Sequence, residues 1–398
     1  MLHRDRCRLI RGRVLMTGLQ GRHGLSDFLI CGGGVSGMLV ARGLSQQGAR
    51  VQLVERGSCG HEASWAGGGI VSPLYPWRYS EPVTALANRA QDAYPALAQA
   101  LADETGIDPE LTECGLLMLD AQDHAEALAW ARRHGRPMHA WQASQIYAHE
   151  PGLASGSERA LYMPTVANIR NPRLVKALAV SLRLQTSVDV REQSEIVRFE
   201  TSGDRMTAVW LRQQDQMYRL QADAFVMAAG AWTGQLLKTL GLTLPVTPVK
   251  GQMLLYKADG PLLSGVVLSK GRYLIPRRDN HILVGSTLEY TDFDKSITGQ
   301  AGDSLRASAE QMLPALSALP VVRQWAGLRP AAPDGVPFIG QIPGFSNVYV
   351  NAGHYRNGLV LAPASAELLV AQLTGAATEL DPAAYEPALR GIVPVPAH

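Results

Sequence analysis

Phe28-Leu29-Ile30-Cys31 is a short apolar run that reads as a strand, and it stops at once on Gly32-Gly33-Gly34-Val35-Ser36-Gly37. From Met38 to Gln47 the apolar positions return at helical spacing, closed by Gly48, and Val51-Gln52-Leu53-Val54-Glu55 is a second strand ending in an acid. Residues 83–104 are Ala-rich and helical in pattern, with Pro95 an expected kink. A short strand at 116–119 and a helix at 123–134 follow. Asn171-Pro172 opens an amphipathic helix to about residue 184, as N-cap and first-turn proline. The pattern then turns to strands: 188–190, 196–199, 207–211 and 218–220 are expected to form a meander leading into a buried strand at 224–230. Thr233 opens another helix. Further strands are expected at 252–257, 266–269, 272–276, 281–287 and 348–351, with helices around 302–319 and 363–373. Pro73 to Tyr79, rich in aromatics and proline, reads as a loop over a pocket.

Strand, GxGxxG, helix, strand and acid within one unit of about thirty residues form the dinucleotide-binding fingerprint. Gly32 allows the tight turn, Gly34 lets the backbone approach a pyrophosphate, and Gly37 lets the helix pack closely on the sheet. The helix N-terminus supplies N–H groups and the positive end of its dipole. Glu55, eighteen residues past Gly37, suits a bidentate bond to ribose hydroxyls and would repel a 2′-phosphate. The fingerprint alone does not separate NAD from FAD.

Composition narrows the class. Of 398 residues, 46% are hydrophobic and 18% charged, which gives a sizeable core and excludes wholesale disorder. A net charge of +2 is far from the basic stripe of a nucleic-acid binder, and no apolar run is long enough to span a bilayer. Cys7, Cys31, Cys59 and Cys114 show no metal-site spacing and read as free thiols, so no metal is expected. Residues 1–26 carry Arg4, Arg6, Arg8, Arg11 and Arg13 without an apolar core to follow, so they do not read as a secretory signal. They are expected to be a disordered extension or to lie upstream of a true start at Met16; an Arg-rich transit peptide is the other reading. The 39 glycines cluster in turns after strands at both ends of the chain, with a β-rich stretch between. That arrangement predicts a cofactor domain built from discontinuous pieces around an inserted substrate domain, and it favours a flavin over NAD.

Taken together, GGGVSG with Glu55, SWAGGG at 64–69, VMAAGAW at 226–232, PVKGQ at 248–252, RYLIPRR at 272–278, WAGLRP at 325–330, DGVPFIG at 334–340 and AGHYRNG at 352–358 carry a resemblance. In this order they resemble the D-amino-acid oxidase family of FAD-dependent amine oxidases, and within it the glycine oxidases linked to thiamine biosynthesis. The resemblance runs from about Phe28 to Tyr385. It implies an α/β fold: a Rossmann-like, GR2-type FAD-binding domain from 27–110, 161–244 and 325–398, with an α+β substrate domain on an antiparallel sheet from 111–160 and 245–324. It implies non-covalent FAD, and oxidation of glycine, sarcosine, N-ethylglycine and small D-amino acids to the 2-oxo acid, ammonia or amine, and H2O2. It also implies a cytoplasmic homotetramer using O2, with no nucleic-acid or membrane partner.

By position, Arg329 matches the arginine that holds the substrate carboxylate, Tyr273 a tyrosine whose hydroxyl reaches that carboxylate, and Arg356 a second active-site arginine. Gly271 and Leu288 complete the implied substrate pocket, where relatives can carry His and Met. For the flavin, the resemblance implies Gly32, Gly34, Val35, Ser36, Gly37, Glu55 and Arg56. Ser64, Ala66, Gly67 and Gly68 join them, with Ile196, Ala229, Gly230 and Trp232. Gly353, His354, Arg356, Asn357, Gly358 and Leu359 form the loop beside the pyrimidine end of the ring. An arginine fork is the chemistry a desolvated carboxylate needs. His354 is expected to shape its loop rather than act as a base, and His61 is not expected to bind flavin covalently. Three alternatives remain open: a D-amino-acid dehydrogenase passing electrons to a quinone, a flavin tRNA-modifying oxidoreductase, and a flavin-binding subunit without turnover.

Overall fold

The computed structural model describes residues 26–391 and the backbone of residues 393 and 394. The expected N-terminal extension lies outside the described residues, except for Ser26, which begins the first strand.

Ser26–Cys31 is buried at all six positions because both its faces are covered. Phe28 and Ile30 pack into a core with the helices Val35–Gln46, Glu81–Thr105, Asn171–Leu184 and Gly358–Thr374. Leu29 and Cys31 point the other way, into a core shared with Met206, Val209 and Leu211 of a three-stranded sheet. Ser26–Cys31 pairs in parallel with Val51–Val54 and with Ala222–Met227. The full six-stranded order places Phe338–Gln341 and Val348–Ala352 at one side and Val188–Arg191 at the other.

That last strand corrects the expected meander. Val188–Arg191 pairs in parallel with Val51–Val54 at the edge of the main sheet, leaving a meander of only Glu195–Ser202, Arg205–Gln213 and Gln216–Leu220. A four-residue strand carries no periodicity that says which sheet it joins; long-range pairing decides. Helix Gly358–Thr374 begins five residues before the expected start at Pro363. Pro363 has no N–H for the carbonyl of Leu359, and the Tyr94 hydroxyl donates to that carbonyl instead at 2.5 Å. The expected helix at 302–319 is Gly299–Met312, broken at Leu313 ahead of Pro314 and followed by a 3-10 turn, Pro314–Ala318.

The second large unit is an eight-stranded sheet, antiparallel throughout except where Val266–Ser269 runs parallel to Leu116–Met118. Its backbone is the long pair Thr247–Lys257 and Val321–Ala331, in register Val249 to Arg329 and Gly251 to Gly327. Arg159–Met163 and Val321–Ala331 both belong to this sheet, so the expected segment boundaries at 161 and 325 fall inside its strands. The chain crosses between the two sheets several times, and side chains tie the connecting segments to the second sheet: Arg277, just past Arg272–Pro276, donates to Gly68 O at 2.8 Å and to Ile169 O at 3.0 Å.

Candidate active site

A cavity of about 440 Å³ runs from the glycine turn after Ser26–Cys31 to the inner ends of Thr247–Lys257 and Val321–Ala331. At its first end, Gly32 adopts φ +118°, and a Cβ there would stand 2.4 Å from Ala228 O. A Cβ on Gly37 would be 2.0 Å from Gly32 O, so this glycine sets the packing of the helix on its own turn, behind the cavity wall. Gly34, by contrast, meets only Ser64 Oγ, at 3.4 Å, and opens on the cavity with Val35 and Ser36. Helix Val35–Gln46 has no side-chain N-cap of its own; the Val35 N–H donates to Ser64 Oγ at 2.9 Å. Gly37→Ala is therefore expected to weaken flavin retention and to lower Tm by several degrees. The clashing atom is backbone and cannot step aside; absorbance at the flavin band and a thermal melt would check both.

Glu55 accepts from the N–H of Gly33 through one oxygen and from Gly57 through the other, each at 2.8 Å. Each oxygen retains a second lone pair for a ribose hydroxyl. The Arg56 guanidinium lies over the Trp232 ring at 4.8 Å, and both line the cavity with Ile196, Ala229 and Gly230. Ala66, Gly67 and Gly68 form its middle, where a Cβ on Gly68 would press on Ile275 and Tyr273.

At the far end, Tyr273 is buried, in register with Gly285, and its hydroxyl lies 3.5 Å from Met253 Sδ. Arg329 extends from its strand across the neighbouring one. A Cβ on Gly251 would lie 2.2 Å from both Nη atoms, so the absence of a side chain at 251 makes the path of the guanidinium. Arg329 donates to Ser286 Oγ at 2.6 Å and to Thr287 O at 3.3 Å, both neutral oxygens. Burial, and to a lesser extent the charge of Arg356, push its pKa below the ordinary arginine value, while Tyr273 works in the opposite direction. Among the described residues no carboxylate pairs with it. A part-buried, unneutralised fork beside a tyrosine hydroxyl has the chemistry to receive a carboxylate.

His354, Asn357, Gly358 and Leu359 line the cavity between these ends, and Arg356 is exposed on the turn Tyr355–Asn357. His354 is 2% exposed, with Nε2 3.0 Å from Ser365 Oγ, and burial lowers its pKa to about 4. It is neutral at working pH. Because the folded pKa lies below the usual 6.5, the fold binds fewer protons than the unfolded chain. Its stabilising contribution is complete above pH 6.5 and is lost as pH falls toward 4, at up to about 1.4 kcal/mol per unit. Melts from pH 7 to 4 should therefore drop less steeply in His354→Gln than in the unmodified protein.

Besides Gly37, three expected residues lie off the lining. Gly271, at φ +73°, is the left-handed turn between Val266–Ser269 and Arg272–Pro276, outside the lining; the strand carries Tyr273, not Gly271, into the cavity. Leu288 is 45% exposed, facing solvent directly after the buried run from Ile282 to Thr287. Gly353, at φ +89°, packs against Ala332 and Phe338 behind the wall. His61 is exposed and off the lining. The Pro73–Tyr79 loop contributes Leu74 to the cavity, while Trp77 and Arg78 are anchored on Asp123. Gly251, Met253 and Asn351 also line the cavity and were not singled out from sequence. A glycine inside the PVKGQ strand was a signal of close approach; nothing in the sequence marked the other two.

A family model described as FAD dependent oxidoreductase matches residues 27–372. The chain belongs to that family. It is 54% identical over 362 residues to the glycine oxidase of Pseudomonas aeruginosa, covering 91% of this chain and 98% of the relative. It is 52% identical over 359 residues to the Pseudomonas putida glycine oxidase, covering 90% and 97%. The crystal structure of glycine oxidase from Geobacillus kaustophilus superposes with a TM-score of 0.85 at 30% identity, covering 91% of this chain and 98% of that one.

As a member of the family, this FAD-dependent amino-acid oxidase has a cavity whose residues fit the cofactor. Gly34, Val35 and Ser36 present a helix start to a pyrophosphate. Asn351 is 1% exposed with both amide atoms unpartnered, on the cavity wall, where a polar group of the flavin can satisfy it.

Proposed function

We propose that the chain oxidises glycine, and with it sarcosine, N-ethylglycine and small D-amino acids, to the 2-oxo acid, ammonia or amine, and H2O2. The observation that carries this reading is the Arg329 guanidinium, part-buried on the cavity beside Tyr273 with only neutral oxygens as partners. Flavin, held non-covalently, would supply a two-electron acceptor here, with O2 as the terminal oxidant. The protein's share is position and exclusion. Arg329 and the Tyr273 hydroxyl clamp the carboxylate and so fix where the α-carbon sits. Tyr273, Met253 and Leu328 line that end of the cavity, and their bulk favours small side chains at the α-carbon. His354 is a neutral, hydrogen-bonded spacer and takes no proton. Gly32, Gly34, Val35, Ser36, Glu55, Arg56 and Trp232 are assigned to the cofactor.

Two sheets divide the labour in this reading: the six-stranded one carries the cofactor and the eight-stranded one the substrate. Full-length similarity to glycine oxidases, and similarity at 29% identity to a Trichormus variabilis protein named bifunctional ThiO/ThiG, support a role in supplying thiamine biosynthesis. A homotetramer in the cytoplasm is part of the same proposal. No helix among the described residues is long and apolar enough to cross a membrane. The test is anaerobic addition of glycine, sarcosine, D-alanine and D-proline to the purified yellow protein, followed by air. Bleaching of the flavin and then stoichiometric peroxide are expected; a flavin left oxidised by all four overturns the proposal, and bleaching without peroxide assigns the electrons to another acceptor.

A further inference from the structure

The PVKGQ segment alternates across the eight-stranded sheet. Gly251 and Met253 line the cavity, whereas Lys250 and Gln252 point to the other face, where Leu254 and Tyr256 pack with Leu305 and Ala309 of helix Gly299–Met312. Both polar side chains are buried, at 2% and 0% exposed, and neither lines the cavity. Lys250 Nζ lies 3.3 Å from Glu289 and 3.1 Å from Asp294, and donates to Ser296 O at 3.2 Å. Gln252 Nε2 donates to Glu289 at 2.9 Å, and Gln252 Oε1 accepts from the Thr298 N–H at 3.0 Å and from Gln324 at 2.9 Å. The main chains interlock as well. The Gln252 N–H donates to Thr287 Oγ1 at 2.8 Å, and Lys250 and Glu289 exchange N–H···O bonds of 2.9 Å in both directions. The Thr287 hydroxyl donates in turn to Glu289.

A buried ion pair is often no more stabilising than apolar packing of the same volume, so stability is a poor reason for a lysine here. What the network fixes is a place. Thr287 is the residue whose carbonyl accepts from Arg329 at 3.3 Å, beside Ser286, whose Oγ accepts from it at 2.6 Å. We propose that Lys250 and Gln252 are positioning residues: from the far face of the sheet they hold Glu289 and Thr287, and so set the aim of the Arg329 fork. This rests on the amine-oxidase reading above and deepens it. It also gives the motif one purpose, since the glycine between the two clears the path of the same guanidinium. Without the ammonium, Glu289 and Asp294 are left as like charges around a vacated position and separate toward water. The Thr287 hydroxyl then loses its acceptor, and the carbonyl that steers Arg329 turns with it. A fully bonded buried network transmits such a loss because none of its members has a spare partner nearby.

The probes are glycine, followed by KM and kcat, and acetate, a carboxylate with no amine to oxidise, followed by the change in flavin absorbance on titration. Lys250→Met should raise the KM for glycine and the acetate dissociation constant together, by about tenfold, with kcat at saturating glycine within about threefold. No residue of the network belongs to the glycine-rich turn, so the ratio of flavin to protein absorbance should not change. In an Arg329→Ala background, Lys250→Met should lower kcat/KM for glycine no further, because its effect passes through the guanidinium. Thr287→Val keeps the charges paired and removes only the hydroxyl between them and the carbonyl. It should raise the acetate dissociation constant by about threefold, and it decides the matter if Lys250→Met does not fold. Acetate affinity unchanged in these variants, or an equal fall in kcat/KM with and without Arg329, overturns the proposal while leaving glycine oxidation by the unmodified protein intact. If glycine fails to bleach the flavin and acetate leaves its spectrum unchanged in the unmodified protein, the underlying reading fails and the proposal with it. If glycine alone fails, the acetate titrations still decide whether Lys250 sets the aim of Arg329.

Discussion

Arg329→Ala is expected to lower kcat/KM for glycine by between about thirtyfold and several thousandfold, with the flavin still bound. The range is that of removing one partner from a desolvated, charge-assisted pair, about 2–5 kcal/mol. The flavin should stay because Arg329 touches Ser286 and Thr287, both in the eight-stranded sheet or just past it, and no residue of the glycine-rich turn. Arg329→Lys should recover little, since an ammonium on a shorter reach replaces a planar fork with a point charge. Steady-state kinetics and the ratio of flavin to protein absorbance measure the two effects separately. A colourless Arg329→Ala protein would move this residue from the substrate to the cofactor.

Gly251→Ala should have nearly the same kinetic consequence with Arg329 itself unaltered. The added methyl would stand 2.2 Å from both terminal nitrogens of Arg329 and 2.4 Å from its Cζ. Those atoms are the end of a flexible side chain, so the clash is relieved by moving the guanidinium rather than the backbone. Stability should change by less than about 1 kcal/mol, while the carboxylate receptor is displaced by an ångström or more, enough to cost on the order of a hundredfold. The contrast with Gly37→Ala is diagnostic, because there the obstructing atom is the carbonyl of Gly32. One substitution should leave a stable, yellow, inactive protein; the other should lose stability and colour together. A Gly251→Ala enzyme of ordinary activity would show that Arg329 has another route to the substrate.

What the chain disclosed before folding follows from how local each feature is. The strand, glycine turn and helix from Ser26 to Gln46 were legible because spacing, breakers and charge all agree within one short unit. Val188–Arg191 was legible as a strand but not as a neighbour of Val51–Val54, since that pairing spans more than 130 residues and leaves no mark on its own four positions. Val321–Ala331 was not separated as a strand at all. Exposed Val322 and Arg323 at one end, and Ala326, Gly327 and Pro330 further on, disrupt the alternation that identifies strands. Yet this strand carries Arg329. Motif matching named the residue; only the register with Thr247–Lys257 shows why the residue opposite its guanidinium must lack a side chain. Gly271 and Leu288 show the converse: the family resemblance pointed inward, but Gly271 forms a left-handed turn off the cavity and Leu288 faces solvent.

The strand order of the six-stranded sheet has a temporal consequence. Ser26–Cys31, near its centre, is made first among its strands, but one of its two flanks waits for Ala222–Met227 and, beyond that, for Val348–Ala352, far later in the chain. The loop that follows, with Asn357 and Gly358, is later still. A chain that has made only its first strands therefore holds the start of a nucleotide site without the means to close it. Cofactor capture waits for the whole sheet, and free flavin acts on the yield of folded enzyme rather than on its early folding.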